Sequence, residues 1–188
     1  AITSLTSTMR PIPAIMFDQI AGYKPGCRVL VNLTASRKRC SLFQGVSEKS
    51  EGLEAVKEWK DKLSKYTSLP PQEVRNGPVK ENILSGNEVD VRKFPCVKWH
   101  PKDFSPYWSY AAVIMKDLET GFVNIGMYRV SIYDKNTLGM HIAIGHDGQP
   151  IRDGYWKEGK AAPVAICLGA DPWVTDSSTT DLGFGEGE

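Results

Sequence analysis

The sequence predicts an α+β protein: an N-terminal α/β part over residues 1–103, then an antiparallel, β-rich part over 104–188. Three observations carry this expectation. Residues 51–66 hold one strong helical pattern, with Leu53, Val56, Trp59, Leu63 and Tyr66 at three- and four-residue spacing and Lys and Glu filling the other side. Residues 72–107 are rich in turn formers, with six prolines in the wider span 70–106. Beyond them, short runs rich in β-branched and aromatic residues alternate with turn signals.

In chain order, residues 1–10 suit a helical turn or two, stopped by Arg10-Pro11-Ile12-Pro13 because two prolines cannot continue a helix. Ala14–Phe17 reads as a short strand, Lys24-Pro25-Gly26 as a turn and Cys27–Leu33 as a second strand. The helix over 51–66 ends at Leu69-Pro70-Pro71. In the second part, strands are predicted over Trp108–Lys116, Phe122–Tyr133 and Met140–Ile144, separated by turns at Glu119-Thr120-Gly121 and Asp134–Gly139. Residues 149–160 read as a helix weakened by Gly154 and Gly159. Pro163–Leu168 is wholly apolar, which predicts a buried fourth strand.

Bulk properties narrow the function. A chain of 188 residues is one domain or two small ones. A net charge of +1, with Arg37-Lys38-Arg39 as the one basic run, disfavours a nucleic-acid binder. Cys27, Cys40, Cys96 and Cys167 form no C-x-x-C pair, so reduced thiols and a cytoplasmic location are expected. No apolar run approaches the ~18 residues of a membrane span, and the N-terminus lacks the features of a signal peptide. The chain starts without Met and stops at Gly-Glu-Gly-Glu, so a fragment, a processed piece or one partner of a larger assembly is expected.

Three clusters could carry chemistry. Asn124-Ile125-Gly126-Met127-Tyr128-Arg129 places an amide, a glycine and a guanidinium in a run that otherwise reads as core. Asn124 and Arg129 are an odd number apart, so a regular strand points them oppositely; Gly126 suggests a bulge or the close approach of a ligand. Solvated residues of an edge strand are the competing explanation. The run Gly139–Gly148 carries His141 and His146, again an odd number apart. His146, at the strand end between glycines, is the better ligand candidate, and His141 is read as structural. Gly169–Thr180, followed by Glu186-Gly187-Glu188, supplies hydroxyls and amides suited to an anion, although such a run is commonly just a loop. Together the clusters offer an amide oxygen, one imidazole and one carboxylate, a set that suits Mg²⁺ or Mn²⁺ better than zinc.

The runs NIGMYR, DKNTLGMHI, GHDG and YWKEGKAAPVAICLGADP, with GPVKEN and AIMFDQIAGYKPGCRVLVN before them, resemble the UbiD family of prenylated-FMN-dependent decarboxylases over nearly the whole chain. The resemblance implies that 104–188 form part of a split β-barrel that binds the flavin, incomplete at its end. It implies Asn124, His146 and Glu188 as metal ligands, with Glu186 as the fallback, and Arg129 as the catalytic arginine. It places Asn124, Ile125, Gly126, Met127, Tyr128, Arg129, Gly145, His146, Ser178, Thr179, Thr180 and Glu188 around prenylated FMN, its Mn²⁺ (or Mg²⁺) and a K⁺ ion. The implied reaction is reversible non-oxidative decarboxylation of an aromatic or α,β-unsaturated carboxylic acid. The implied partners are a UbiX-like flavin prenyltransferase that supplies the cofactor, and an oligomer holding the family's C-terminal portion with the acid–base glutamates. The alternative is a non-catalytic cofactor-binding or assembly subunit; an ordinary flavin redox protein is a further rival, disfavoured by the metal triad.

Overall fold

The computed structural model describes residues 6, 8–67, 69 and 72–179. The chain divides into two compact units, Ala1–Gly77 and Pro78–Glu188. The division lies upstream of the 103/104 boundary expected from sequence.

In the first unit, β1 (Ile15–Phe17) pairs antiparallel with β2 (Val29–Val31), and α1 (Arg37–Gln44) and α2 (Gly52–Ser64) follow. The two predicted strands are present but trimmed to three residues each. Arg39 explains how so small a sheet is held. Its guanidinium donates to the carbonyls of Ile12, Asn32 and Leu33, each at 2.8 Å, and so ties the approach to β1 and the exit of β2 to α1. α1 was not expected, because RKRCSLFQ has no apolar stripe. α2 lies where the spacing predicts it. It buries Ala55 and half-buries Trp59, while Leu53 and Val56 remain exposed, so its apolar stripe is largely uncovered. Glu58 on α2 braces the connection from α1, accepting from the Ser47 N–H and the Ser50 hydroxyl at 2.7 Å each. Those bonds, the Ser50 hydroxyl foremost, hold its carboxyl below the usual range.

The second unit opens with three short 3₁₀ turns and continues as β3 (Tyr107–Trp108), β4 (Ala111–Lys116), β5 (Val123–Met127), β6 (Val130–Ile132), β7 (Leu138–Met140), α3 (Gly148–Lys157), β8 (Val164–Leu168) and α4 (Pro172–Ser177). The strands form two antiparallel sheets, in the orders β3-β6-β7 and β5-β4-β8. Two predicted strands are each broken in two, 108–116 at Ser109-Tyr110 and 122–133 at Tyr128-Arg129. Both breaks have one cause: at each, the chain passes from one sheet to the other. The core forms where the sheets and α3 meet, from Ala111, Val113, Met115, Tyr128, Val130, Ile142 and Ile151, with Trp108, Leu138, Met140 and Tyr155 packed against them.

Three further expectations need correction. The third strand is Leu138–Met140, so His141–Ile144 lie in irregular and turn structure after it. β8 is found at its predicted place but is an edge strand, with Val164 44% and Leu168 38% exposed. An apolar run is buried only where both faces are covered, and the faces of β8 are left partly open. The run read as a loop after it contains α4, capped by the Asp171 carboxylate accepting from the Trp173 N–H at 2.8 Å, with Pro172 in the first turn. The four cysteines form no disulfide, and burial pushes the Cys96 thiol up to about 11. Among the described residues no helix is long and apolar enough to cross a membrane.

Candidate functional site

The site begins with the register of β5. Asn124 lies opposite Met115, Ile125 opposite Ile114 and Gly126 opposite Val113, in an unbroken ladder. There is therefore no bulge at Gly126. Alternation along β5 turns Asn124, Gly126 and Tyr128 toward the core side, and all three are buried, Asn124 to 3% exposure. Ile125, Met127 and Arg129 take the other side, and Arg129 is exposed. Asn124 is thus buried and Arg129, past the end of β5, is exposed.

Gly126 is a glycine because Tyr128 lies over it. A Cβ at Gly126 would meet the Tyr128 ring at 2.5 Å, and one at Gly148 would meet the Tyr128 hydroxyl at 2.7 Å. The ring thus fits between two glycines, and its hydroxyl accepts from the Gly148 N–H at 3.2 Å at the start of α3. Since that bond pins the ring, Gly126→Ala is expected to destabilise the protein by about 1–3 kcal/mol. Gly154→Ala, at a helical position with nothing within 4 Å, is expected to stabilise it by up to about 1 kcal/mol. Urea unfolding of the two variants tests the opposite signs; a neutral Gly126→Ala would show that the ring is not confined.

Tyr128 also brings in the second cluster. Its ring meets the His146 ring edge-on, with centroids 6.0 Å apart. Met115, the partner of Asn124 across the sheet, stands with its sulfur 3.4 Å from the position of a Gly148 Cβ. Asn124 thus lies opposite Met115 and His146 meets Tyr128, and both of these neighbours reach Gly148. His146 is exposed on a turn closed by its N–H to the Ala143 carbonyl at 3.3 Å. Gly145, at φ +91°, makes that turn possible. An amide oxygen and a single imidazole are donors of a kind that suits a hard divalent ion such as Mn²⁺ or Mg²⁺. His141 is also exposed, directly after β7.

On the other side, the Arg129 guanidinium stands over the Tyr107 ring at 5.9 Å, within cation–π range. Tyr107 is itself fixed: its N–H donates to the Val97 carbonyl, and its carbonyl accepts from the Trp99 indole N–H, both at 3.2 Å. Nothing in the sequence singles out Tyr107, since its relation to Arg129 arises from the pairing of β3 with β6.

In the third cluster, the Ser178 and Thr179 hydroxyls each donate at 2.8 Å to carbonyls one turn back, those of Thr175 and Asp176. Their oxygens can still accept. Thr180, Glu186 and Glu188 lie outside the described residues. Among the described residues no three His, Cys, Asp or Glu side chains converge as a metal site.

With this geometry in place, relatives become informative. The family profile described as the UbiD 3-octaprenyl-4-hydroxybenzoate carboxy-lyase Rift-related domain matches residues 72–188. The chain belongs to the UbiD family. This UbiD-family chain is 32% identical over 194 residues to an uncharacterised protein of Aquifex aeolicus, covering 91% of the chain and 38% of that relative. It is 28% identical over 185 residues to a phenolic acid decarboxylase of Sedimentibacter hydroxybenzoicus, covering 94% and 37%. Its structure is similar to that of the vanillic acid decarboxylase of Sedimentibacter hydroxybenzoicus in closed form, with a TM-score of 0.86, 27% identity and coverage of 94% and 38%. It shares its fold with an evolved dimeric form of the UbiD-class enzyme HmfF from Pelotomaculum thermopropionicum, solved in complex with prFMN, at a TM-score of 0.82, 22% identity and coverage of 97% and 41%. The chain thus spans less than half the length of these relatives.

Proposed function

We propose that this chain forms the metal- and cofactor-holding part of a UbiD-type decarboxylase acting on an aromatic or α,β-unsaturated carboxylic acid. The observation that supports this reading is that Met115, opposite Asn124, and Tyr128, against His146, both reach Gly148 in a chain of this family. In the reading, Asn124 and His146 ligate Mn²⁺ (or Mg²⁺) together with Glu188, and residues 104–188 form the flavin-binding part of a split barrel. Ser178, Thr179 and Thr180 line the cofactor phosphate and a neighbouring K⁺.

Prenylated FMN, when bound, supplies the electrophilic chemistry that labilises the carboxylate; the protein's work is to bind, orient and protonate. Arg129 would grip the carboxylate with its fixed fork of donors, held by the face of Tyr107. A glutamate from the family's remaining length would deliver the proton that replaces CO₂. The other members of this reading are a UbiX-like prenyltransferase as cofactor supplier, an oligomeric assembly and a cytoplasmic location.

The test is CO₂ release from a panel of benzoic- and cinnamic-type acids by the full-length protein, loaded with Mn²⁺ and either prenylated FMN or plain FMN. Turnover is expected with prenylated FMN alone. Absence of turnover with every acid, in protein that retains metal and flavin, would favour a non-catalytic binding subunit. The 188-residue chain by itself is expected to show little turnover; robust activity would mean that a residue within it, such as Glu158 or Asp176, supplies the proton.

A further inference from the structure

We infer that Gln149 is the positioning residue for His146, and that Asp153 and Arg152 fix Gln149 in turn. The inference rests on the reading of His146 as a metal ligand and extends it to residues of α3 that are not among the proposed ligands.

His146 is exposed, and its packing contact is the edge of Tyr128. An exposed imidazole on a turn with a left-handed glycine before it does not stay in one place by packing. What restrains this one is Gln149, which closes the turn twice. Its backbone N–H donates to the His146 carbonyl at 2.8 Å. Its side-chain Oε1 accepts from the Gly145 N–H at 3.0 Å. The peptide group after His146 and the one before Gly145 are therefore bonded to one residue.

The side-chain amide of Gln149 has a single workable orientation. Its Nε2 donates to Asp153 Oδ2 at 3.2 Å, one helical turn along α3. Turned over, the amide would set an NH₂ group against the Gly145 N–H and an oxygen against a carboxylate. Asp153 is an anion: Arg152, foremost among its partners, holds its carboxyl below the usual range. Arg152 donates to Asp153 Oδ1 from Nε at 2.9 Å and from Nη2 at 2.7 Å. The Arg152 guanidinium is in turn laid over the Trp156 ring at 4.6 Å. A continuous series of bonds thus runs from the body of α3 to the backbone of His146. Partners that orient a metal-binding histidine commonly act on its ring; here the orientation acts through its backbone.

The experiment uses the full-length protein and Mn²⁺ alone, with the dissociation constant read from the EPR signal of free Mn²⁺. Gln149→Met keeps the length of the side chain and removes both polar groups. It is expected to weaken Mn²⁺ binding by about 10- to 100-fold, with the unfolding midpoint nearly unchanged and faster hydrogen exchange at the Gly145 amide. Gln149→Glu retains an acceptor for Gly145 but sets a carboxylate against Asp153, so it too should weaken binding. Adding Asp153→Asn to Gln149→Glu restores a donor–acceptor pair and should recover most of the affinity. This rescue is not expected of a residue that merely stabilises the helix, and it decides the matter if Gln149→Met folds poorly. Wild-type Mn²⁺ affinity in Gln149→Met, or failure of the paired substitutions to recover it, overturns the inference. His146→Ala in the same assay separates the two levels: normal Mn²⁺ binding there would remove the metal reading itself, whatever Gln149 does.

Discussion

Replacing Arg129 with alanine in the full-length protein is expected to abolish CO₂ release while bound metal stays at its normal level. The first half follows from what a guanidinium does for a carboxylate that is losing CO₂. It holds both oxygens through a rigid fork and stabilises the charge that shifts during bond cleavage. Loss of one such group should cost at least about 100-fold in kcat/KM, or about 2.7 kcal/mol of transition-state stabilisation. The second half follows from the structure. Arg129 is exposed, past the end of β5 and on the side opposite Asn124, with its guanidinium over Tyr107. Its removal opens no core cavity and touches neither candidate ligand. Lysine should not rescue, since a point charge cannot reproduce the fork. Steady-state kinetics alongside metal analysis checks this, and an activity loss below tenfold would remove Arg129 from the reacting centre.

His146→Ala should lower retained Mn²⁺ and retained flavin together, each by at least about tenfold, whereas His141→Ala should leave both near normal. Both histidines are exposed, so neither substitution carries a large packing penalty, and a difference between them reports ligation rather than stability. The coupled loss is expected because one ion is proposed to join the protein to the flavin phosphate. Metal analysis and flavin absorbance of the purified variants measure it. Full metal and flavin content in His146→Ala, or an equal loss in His141→Ala, would contradict the assignment.

Much of the second unit was legible because strand periodicity and turn chemistry are local. β4, β5, β8 and α3 fall where their patterns predict. The breaks at Ser109-Tyr110 and Tyr128-Arg129 were not legible, because β propensity runs through both points. What changes there is the partner strand, and that is decided by residues far along the chain. α4 left a readable mark in Asp171-Pro172, a capping residue followed by a proline suited to a first helical turn; the hydroxyl-rich sequence after it obscured the signal. At the site, residue types were informative and distances were not. Gly126 was visible as an oddity, but its cause is a ring two residues along the chain, just past the end of β5. Gln149 had only the signal of a glutamine in the first turn of a helix, three residues after a candidate histidine. The standing of Glu188, the third candidate ligand, rests on family resemblance alone.

Tyr128 sets a dimension. A phenol ring is flat, stiff and free to turn about only two side-chain bonds, and here glycines on the strand and on the helix face it. The gap between β5 and the start of α3 is therefore gauged by one ring, with the hydroxyl bond to Gly148 acting as the end stop. The His146 ring meets this gauge edge-on. A ring does not compress as a flexible aliphatic chain would, so the separation of β5 from the helix that follows His146 is inherited from an aromatic spacer. Loops elsewhere in the unit can lengthen or shorten without altering it.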